Sequence, residues 1–268
     1  MGTSSAVTVT PIYWAPSEFT YPSTYQSLTE QFLADVAHDH GLSTNVFSNL
    51  TQYTDGGSNH ILNNMAAGTA INDSNAYPTS GGCTADTGQV YSDHSGYSTC
   101  LTDSQIRTEL ATVLTAHSLP SDLNHLYLVF LPKGVESCFT AQNNAGGGQC
   151  TLSATGGAFC GYHSAFGTVS SPTIYADMPY AIADNPVSHF TCSSDGGALQ
   201  GNFSVGNQSP NSNLDADTVI GTTSHEMNEA ITDPLPSPGA WYDTGGNEIG
   251  DDCAYIFGRG CPVARRTL

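Results

Sequence analysis

The segment SHEMNEAITDP, residues 224–234, places His225, Glu226 and Glu229 in the pattern His-Glu-x-x-Glu. At about 3.6 residues per turn, His225 and Glu229 fall one turn apart on a single face of a helix. Val219, Ile220, Met227 and Ile231 fall largely on the opposite side, where they can meet a core. In the related His-Glu-x-x-His pattern two histidines hold zinc, and the Glu between them works on the water that attacks the substrate. A carboxylate is also a zinc ligand, so Glu229 can replace the second histidine at a harder, more anionic site. In that chemistry His225 and Glu229 bind the metal and Glu226 is the general base.

A further ligand is expected downstream, in WYDTGGNEIGDDC at residues 241–253. Glu248 follows Glu229 by 19 residues, a distance that a returning loop can cover. Asn247-Glu248 with Asp251 resembles the distal Asn-Glu-x-x-x-Asp pattern of thermolysin-like peptidases, shortened by one residue. There Glu248 is the third ligand and Asp251 orients His225 from behind. Gly250 argues against a helix at this point, which leaves Asp251 or Asp243 as alternative ligands. Glutamate is scarce: it occurs 7 times among 24 acidic residues, yet Glu226, Glu229 and Glu248 fall within 23 positions.

These residues need elements to hold them. Residues 6–14, AVTVTPIYW, read as a strand. A helix follows, with capping-box spacing at Ser27 and Glu30, or a start nearer Pro22, and an apolar stripe of Tyr25, Leu28, Phe32, Leu33 and Val36. Residues 44–53 read as a second strand, and 54–101 as a long excursion holding the first two cysteines. Thr102 caps a helix with Ile106, Leu110, Val113 and Leu114 inside. HLYLVFL at 125–131 is the strongest strand in the chain. Residues 133–171 are rich in Gly and Cys, 172–182 suit a short strand, and 185–212 a loop. The metal-binding helix spans about 215–232 and stops at Asp233-Pro234. This order predicts an α/β fold: a single domain over 1–268 with a mixed sheet, packed helices and long disulfide-pinned loops. Within it, 1–132 form an N-terminal α/β part, 133–258 a loop-rich part with the His-Glu-x-x-Glu helix, and 259–268 an atypical tail.

Composition narrows the function classes. The chain has 268 residues, 24 acidic against 5 basic, and a formal charge of −19; Lys133 is its one lysine. Such a surface excludes nucleic-acid binding and docking on anionic membranes, both of which need cations. Ser, Thr, Asn and Gly supply most of the polarity, as in many secreted proteins, and few cations accumulate when the carboxylates protonate in acid. No apolar run approaches a membrane span. The start, MGTSSAVTV, has no basic region followed by an apolar stretch and reads as a mature or re-engineered N-terminus. The 8 cysteines include no Cys-x-x-Cys pair, so disulfides in an oxidising compartment are expected. Cys83–Cys100 and Cys253–Cys261 suit local loops; Cys138, Cys150, Cys160 and Cys192 admit three connectivities.

The block HEMNEAITDPLPSPGAWYDTGGNEIGDDC resembles the signature of the phosphate-induced protein 1 (EXORDIUM-like) family, above all its secreted bacterial and fungal branch. The matching positions are His225, Glu226, Glu229, Asp233, Pro234, Ala240, Trp241, Tyr242, Glu248, Ile249, Asp251 and Cys253. VTPIYWAP, LYLVFLPKGVESCF and FCGYHSAF are similar to upstream family segments, so the likeness spans about residues 8–258. It implies an extracellular protein with a zincin-like motif; the plant members are linked to growth and cell-wall responses, and the family label names no reaction. His163 matches a family position as well, which makes it a candidate further ligand or oxyanion donor beside the plain reading of a loop histidine. Tyr242, with Trp241, can line a substrate cleft and donate a hydrogen bond, or pack in the core.

The expected function is a secreted zinc-dependent hydrolase, a metallopeptidase acting on a peptide or cell-wall-derived substrate. The alternative is a non-catalytic extracellular or cell-wall-associated binding protein with a structural Ca²⁺ held by the carboxylates at 229, 233, 243, 248, 251 and 252. A glycosidase pairing Glu226 or Glu229 with Glu248 would leave His225 without a role.

Overall fold

Strand β1 (Val7–Trp14) and strand β5 (His125–Phe130) pair in parallel at the middle of the sheet, with Thr8 opposite His125 and Tyr13 opposite Phe130. The structure, a computed structural model, describes residues 1–152, 157–180, 192, 209–235 and 239–253. Two short strands, β2 (Met65–Ala67) and β3 (Ile71–Asp73), share the other edge of β1, pairing in parallel with its first and last residues. Gly68 joins them where a Cβ would stand 2.2 Å from Oγ1 of Thr10, so only glycine lets the link cross β1. β8 (Ser171–Met178) is parallel to β5, and β7 (Tyr162–Thr168) closes the sheet as an antiparallel edge strand. A separate two-stranded parallel sheet joins β4 (Thr99–Thr102) to β6 (Val135–Cys138).

Helices cover both faces. Leu126, Leu128, Phe130, Ile174, Ala176 and Met178 point to one side and bury α1 (Tyr25–His38) and α3 (Leu214–Thr232). Tyr127, Val129 and Tyr175 point to the other, against Ile106, Leu110 and Val113 of α2 (Asp103–His117). A strand buried on both faces reads as a continuous apolar run, which is why HLYLVFL was so distinct. Each of these side chains contributes roughly 1.5–3 kcal/mol by leaving water.

The helix ends are set by side chains. Thr102 and Gln105 form a capping box on α2, with Thr102 N–H donating to Gln105 Oε1 at 2.8 Å. Asn213 caps α3 by accepting from Ala216 N–H at 3.1 Å, and its amide donates to Thr24 Oγ1 at 3.0 Å, tying the starts of α3 and α1 together. Asp215 and Asp217 in the first turn of α3 suit its positive end.

The expected α/β class, mixed sheet, packed helices and disulfide-pinned loops are present. Cys83–Cys100, Cys138–Cys150 and Cys160–Cys192 are bonded, which selects one of the three open connectivities. The Cys253–Cys261 pairing, the 259–268 tail and nearly all of the 185–212 loop lie outside the described residues. Three expectations are corrected, the strand at 44–53, the cap at Ser27 and the inward Ile220, while the alternative start of α1 nearer Pro22 holds. Residues 44–53 form no strand: Asn45 takes Phe47 N–H and donates to Val36 O, both at 2.9 Å, folding the chain into a 3-10 turn at Ser48–Gln52. Ser27 lies inside α1 rather than capping it, since Thr24 is the N-cap and Ser27 Oγ donates back to Thr24 O. The Gly- and Cys-rich 133–171 region contains β6 and β7. Ile220 lines a cleft and is only partly buried, unlike Val219, Met227 and Ile231.

Candidate metal centre

α3 runs beneath a cleft of about 700 Å³ and turns His225, Glu226 and Glu229 toward it. Glu226 and Glu229 are 3 % and 4 % exposed, so the polar face of this helix is buried rather than solvated. Glu229 Oε1 lies 3.0 Å from His225 Nε2, one turn away as the spacing predicts. His163 enters from β7, whose alternation sends Tyr162 toward α2 and His163 toward α3. Its Nε2–H donates to the Asp233 carbonyl at 2.9 Å, at the end of α3. Nδ1 then faces Glu226 Oε2 at 3.6 Å and Glu229 Oε2 at 3.7 Å, while Glu248 Oε1 stands 3.5 Å from Nε2.

Two glycines make this convergence possible. A Cβ on Gly250 would stand 2.7 Å from Glu229 Oε1 and 2.9 Å from His225 Nδ1, so the turn carrying Glu248 rests directly on the helix. A Cβ on Gly161 would stand 2.8 Å from Thr222 Cγ2 and 3.3 Å from Glu226 Oε1, just before β7 delivers His163. The Cys160–Cys192 disulfide borders the same stretch of the cleft. Beyond it, Asp103 accepts hydrogen bonds from Tyr162 and Tyr175 and pairs with Arg107 at 2.7 Å, anchoring the β7–β8 edge to α2.

The electrostatics are those of a crowded buried cluster. Burial alone would lower the His163 pKa, but Glu226, Glu229 and Glu248 outweigh it and hold it at about 10. The same balance holds His225 at about 9, through Glu229, Glu226 and Asp251. Burial favours neutral Glu229, yet His163 and His225 bring it down to about 2. Burial pushes Glu226 above the usual carboxylate range, against the pull of the two histidines, and lifts Glu248 to about 7.

The donor set fits a metal ion. His163, Glu229 and Glu248 each offer a ligand atom within 4.8 Å of the others, and so do His225, Glu226 and Glu229. Ligands of a tetrahedral zinc, ~2.0–2.1 Å from the ion, stand about 3.4 Å apart. From His163 Nδ1, Glu226 Oε2 at 3.6 Å and Glu229 Oε2 at 3.7 Å stand near that spacing and beyond an ordinary hydrogen bond, while the 3.5 Å contact of Glu248 Oε1 is to Nε2. Glu226 Oε2 and Glu248 Oε1 are buried without a hydrogen-bond partner, a state that a cation would relieve.

Six of the seven site residues expected from the sequence, His163, His225, Glu226, Glu229, Glu248 and Asp251, line one cleft, and Tyr242 lies off its lining, against Asp233. His163 is no loop histidine: it sits on a strand between Glu226, Glu229 and Glu248. Asp251 Oδ1 lies 3.7 Å from His225 Nε2, and Oδ2 accepts from Glu248 N–H at 3.2 Å, so it braces both. Among the described residues no distal helix is present; Glu248 sits on a turn followed by a 3-10 turn at Asp251–Cys253. Asp243 is corrected as an alternative ligand, because its Oδ1 accepts from Gly245 and Asn247 N–H at 2.6 and 2.9 Å and folds the loop instead. Tyr242 is 43 % exposed and lies against Asp233, whose hydrogen bond and charge raise the phenol pKa. Trp241 packs edge-on against Tyr53 at 5.2 Å. Asp233, expected as one carboxylate of the alternative Ca²⁺ site, is fully buried, and so are Asp177 and Glu136, two acids spaced as ordinary strand residues that leave no local signal. No protein-family model, no curated protein and no solved structure matches the chain.

Proposed function

We propose that this chain is a secreted zinc-dependent hydrolase acting on peptide bonds, within the phosphate-induced protein 1 (EXORDIUM-like) group that its signature block resembles. One observation carries the reading: two histidines and three glutamates from α3, β7 and the 248 turn bring their ligand atoms together at the floor of a cleft. His225, Glu229, His163 and Glu248 hold the ion, and Asp251 keeps His225 in place. Two imidazoles in the set favour zinc over calcium, which takes six to eight oxygens. Such an ion, when bound, polarises a carbonyl and eases deprotonation of water. Glu226 is the proton acceptor: it is buried beside the ligand atoms, with Oε2 facing the cluster without a hydrogen-bond partner.

The edge position of β7 supports a peptide substrate. The strand that carries His163 has an unpaired outer edge among the described residues, and an extended peptide can add to such an edge. Secretion accords with three disulfides and with the absence, among the described residues, of any helix long and apolar enough to cross a membrane. The test is cleavage of casein or a peptide library alongside zinc content. Glu226→Gln is expected to retain zinc and lose ~10²–10⁴-fold in cleavage. Unchanged cleavage by a zinc-loaded Glu226→Gln removes Glu226 from the mechanism, and a wild type that takes up no metal removes the whole reading.

A further inference from the structure

Glu229 lies between two imidazoles, and each of its carboxylate oxygens faces a different one. Oε1 is 3.0 Å from His225 Nε2, and Oε2 is 3.7 Å from His163 Nδ1. Candidate ligand atoms within 4.8 Å of one another form two overlapping groups, and Glu226 Oε2 also stands 3.6 Å from His163 Nδ1. One set is His163, Glu229 and Glu248; the other is His225, Glu226 and Glu229; only Glu229 belongs to both. A single tetrahedral ion takes four protein ligands at most, fewer when a position stays open for substrate. Here two histidines, three glutamates and Asp251 converge; with Glu226 kept for the proton and Asp251 counted as a ligand rather than a brace, five side chains remain, one more than such an ion takes. Glu226 adds a second kind of observation: it is 3 % exposed, and its Oε2 is aimed into the cluster without a hydrogen-bond partner.

We infer that the centre holds two divalent ions bridged by the Glu229 carboxylate. This rests on the metal-centre reading above and deepens it. His163 and Glu248 hold the first ion with Glu229 Oε2. His225 holds the second with Glu229 Oε1, and Asp251 Oδ1, 3.7 Å from the same His225 nitrogen, supplies the next oxygen there. Glu226 stands between them and stays available for the proton. Charge favours the arrangement: four carboxylates at one cleft floor match two divalent cations, where one would leave a net anionic pocket. Paired ions of this kind, when bound, would hold the attacking water and polarise the scissile carbonyl, whose C–N bond then breaks to release the amine.

The test is metal stoichiometry. The purified chain is loaded with Zn²⁺, freed of unbound ion by gel filtration, and its zinc counted per chain by mass spectrometry. Two per chain is expected. One per chain overturns the two-ion inference and leaves the metal-centre reading standing; none overturns both. Glu248→Gln, on a surface turn, is expected to fall to one ion per chain while keeping the wild-type circular dichroism. A folded Glu248→Gln that still holds two ions overturns the assignment of the first position. With Mn²⁺ in place of zinc, an exchange-coupled electron paramagnetic resonance spectrum is expected, lost in Glu229→Gln. An uncoupled wild-type spectrum overturns the bridge, and this reading does not depend on the variant's folding.

Discussion

Replacing Gly250 by alanine tests whether the contact between the 248 turn and α3 builds a metal centre or merely packs a loop. The added methyl would stand 2.7 Å from Glu229 Oε1, 2.9 Å from His225 Nδ1 and 3.0 Å from His225 Cε1. Ordinary contact needs about 3.5 Å, so these gaps are short by roughly 0.5–0.8 Å. Either Glu229 and His225 move off their positions or the turn retreats and takes Glu248 and Asp251 with it. Both outcomes exceed the ~0.5 Å within which a ligand set must be held. Disturbing the support of metal ligands costs about 10–100-fold in affinity, or ~1.4–2.7 kcal/mol. The backbone at Gly250 is not left-handed, so the cost to the fold is that of overpacking alone, about 1–3 kcal/mol, which the metal-free melt measures separately. The assay is zinc competition against a chromophoric chelator, paired with thermal melting of the metal-free protein. Gly56→Ala, with open space around its Cβ position, is the control. Unchanged zinc affinity in a folded Gly250→Ala would refute the assignment of Glu229 and His225 as ligands.

Further outcomes follow from other parts of the structure. Burial lifts Asp177 to about 8 and Glu136 to about 7, so the folded chain holds protons that the unfolded chain releases near pH 4. Raised acids stabilise the fold below their unfolded pKa and lose that contribution as pH rises through the folded one. The melting temperature should therefore fall between about pH 4.5 and 8, and Asp177→Asn with Glu136→Gln should flatten the decline; a profile that rises over this range would contradict it. Opening the Cys160–Cys192 bond by Cys160→Ser with Cys192→Ser removes a crosslink over 32 residues, worth ~3–4 kcal/mol in chain entropy, and should also weaken zinc binding because it borders Gly161–His163. Denaturant titration measures the first effect, chelator competition the second. Asp103→Ala leaves Tyr162, Tyr175 and Arg107 without their shared partner, and equilibrium unfolding should show a loss of ~1–3 kcal/mol.

The elements that could be read directly were those whose signal is local. β1, β5, α2 and α3 each carry a period or a cap within their own residues, and all lie within a residue or so of their expected limits. β2 and β3 are three residues each and exist only because β1 offers an edge, which no local pattern announces. Residues 44–53 misled because Val46, Phe47 and Leu50 suit a strand, while the deciding feature was one Asn45 amide closing onto the end of α1. The site divides in the same way. His225, Glu226 and Glu229 follow from helical spacing alone, and Glu248 from a short return. His163 lies 62 positions before His225 and joins them only through the pairing of β7 with β8, so no spacing rule reaches it. The shortened distal pattern at Gly250 was the visible trace of a close approach, since a side chain there would strike the ligands.

Anomalous diffraction at the zinc edge, from crystals grown with zinc, tests most directly whether a metal ion sits beside α3. The predicted result is strong anomalous density bounded by His163, His225, Glu229 and Glu248, with Glu226 beside it and outside its bonding distance. Density elsewhere on the surface, with these five side chains keeping only their contacts to one another, would contradict the central claim.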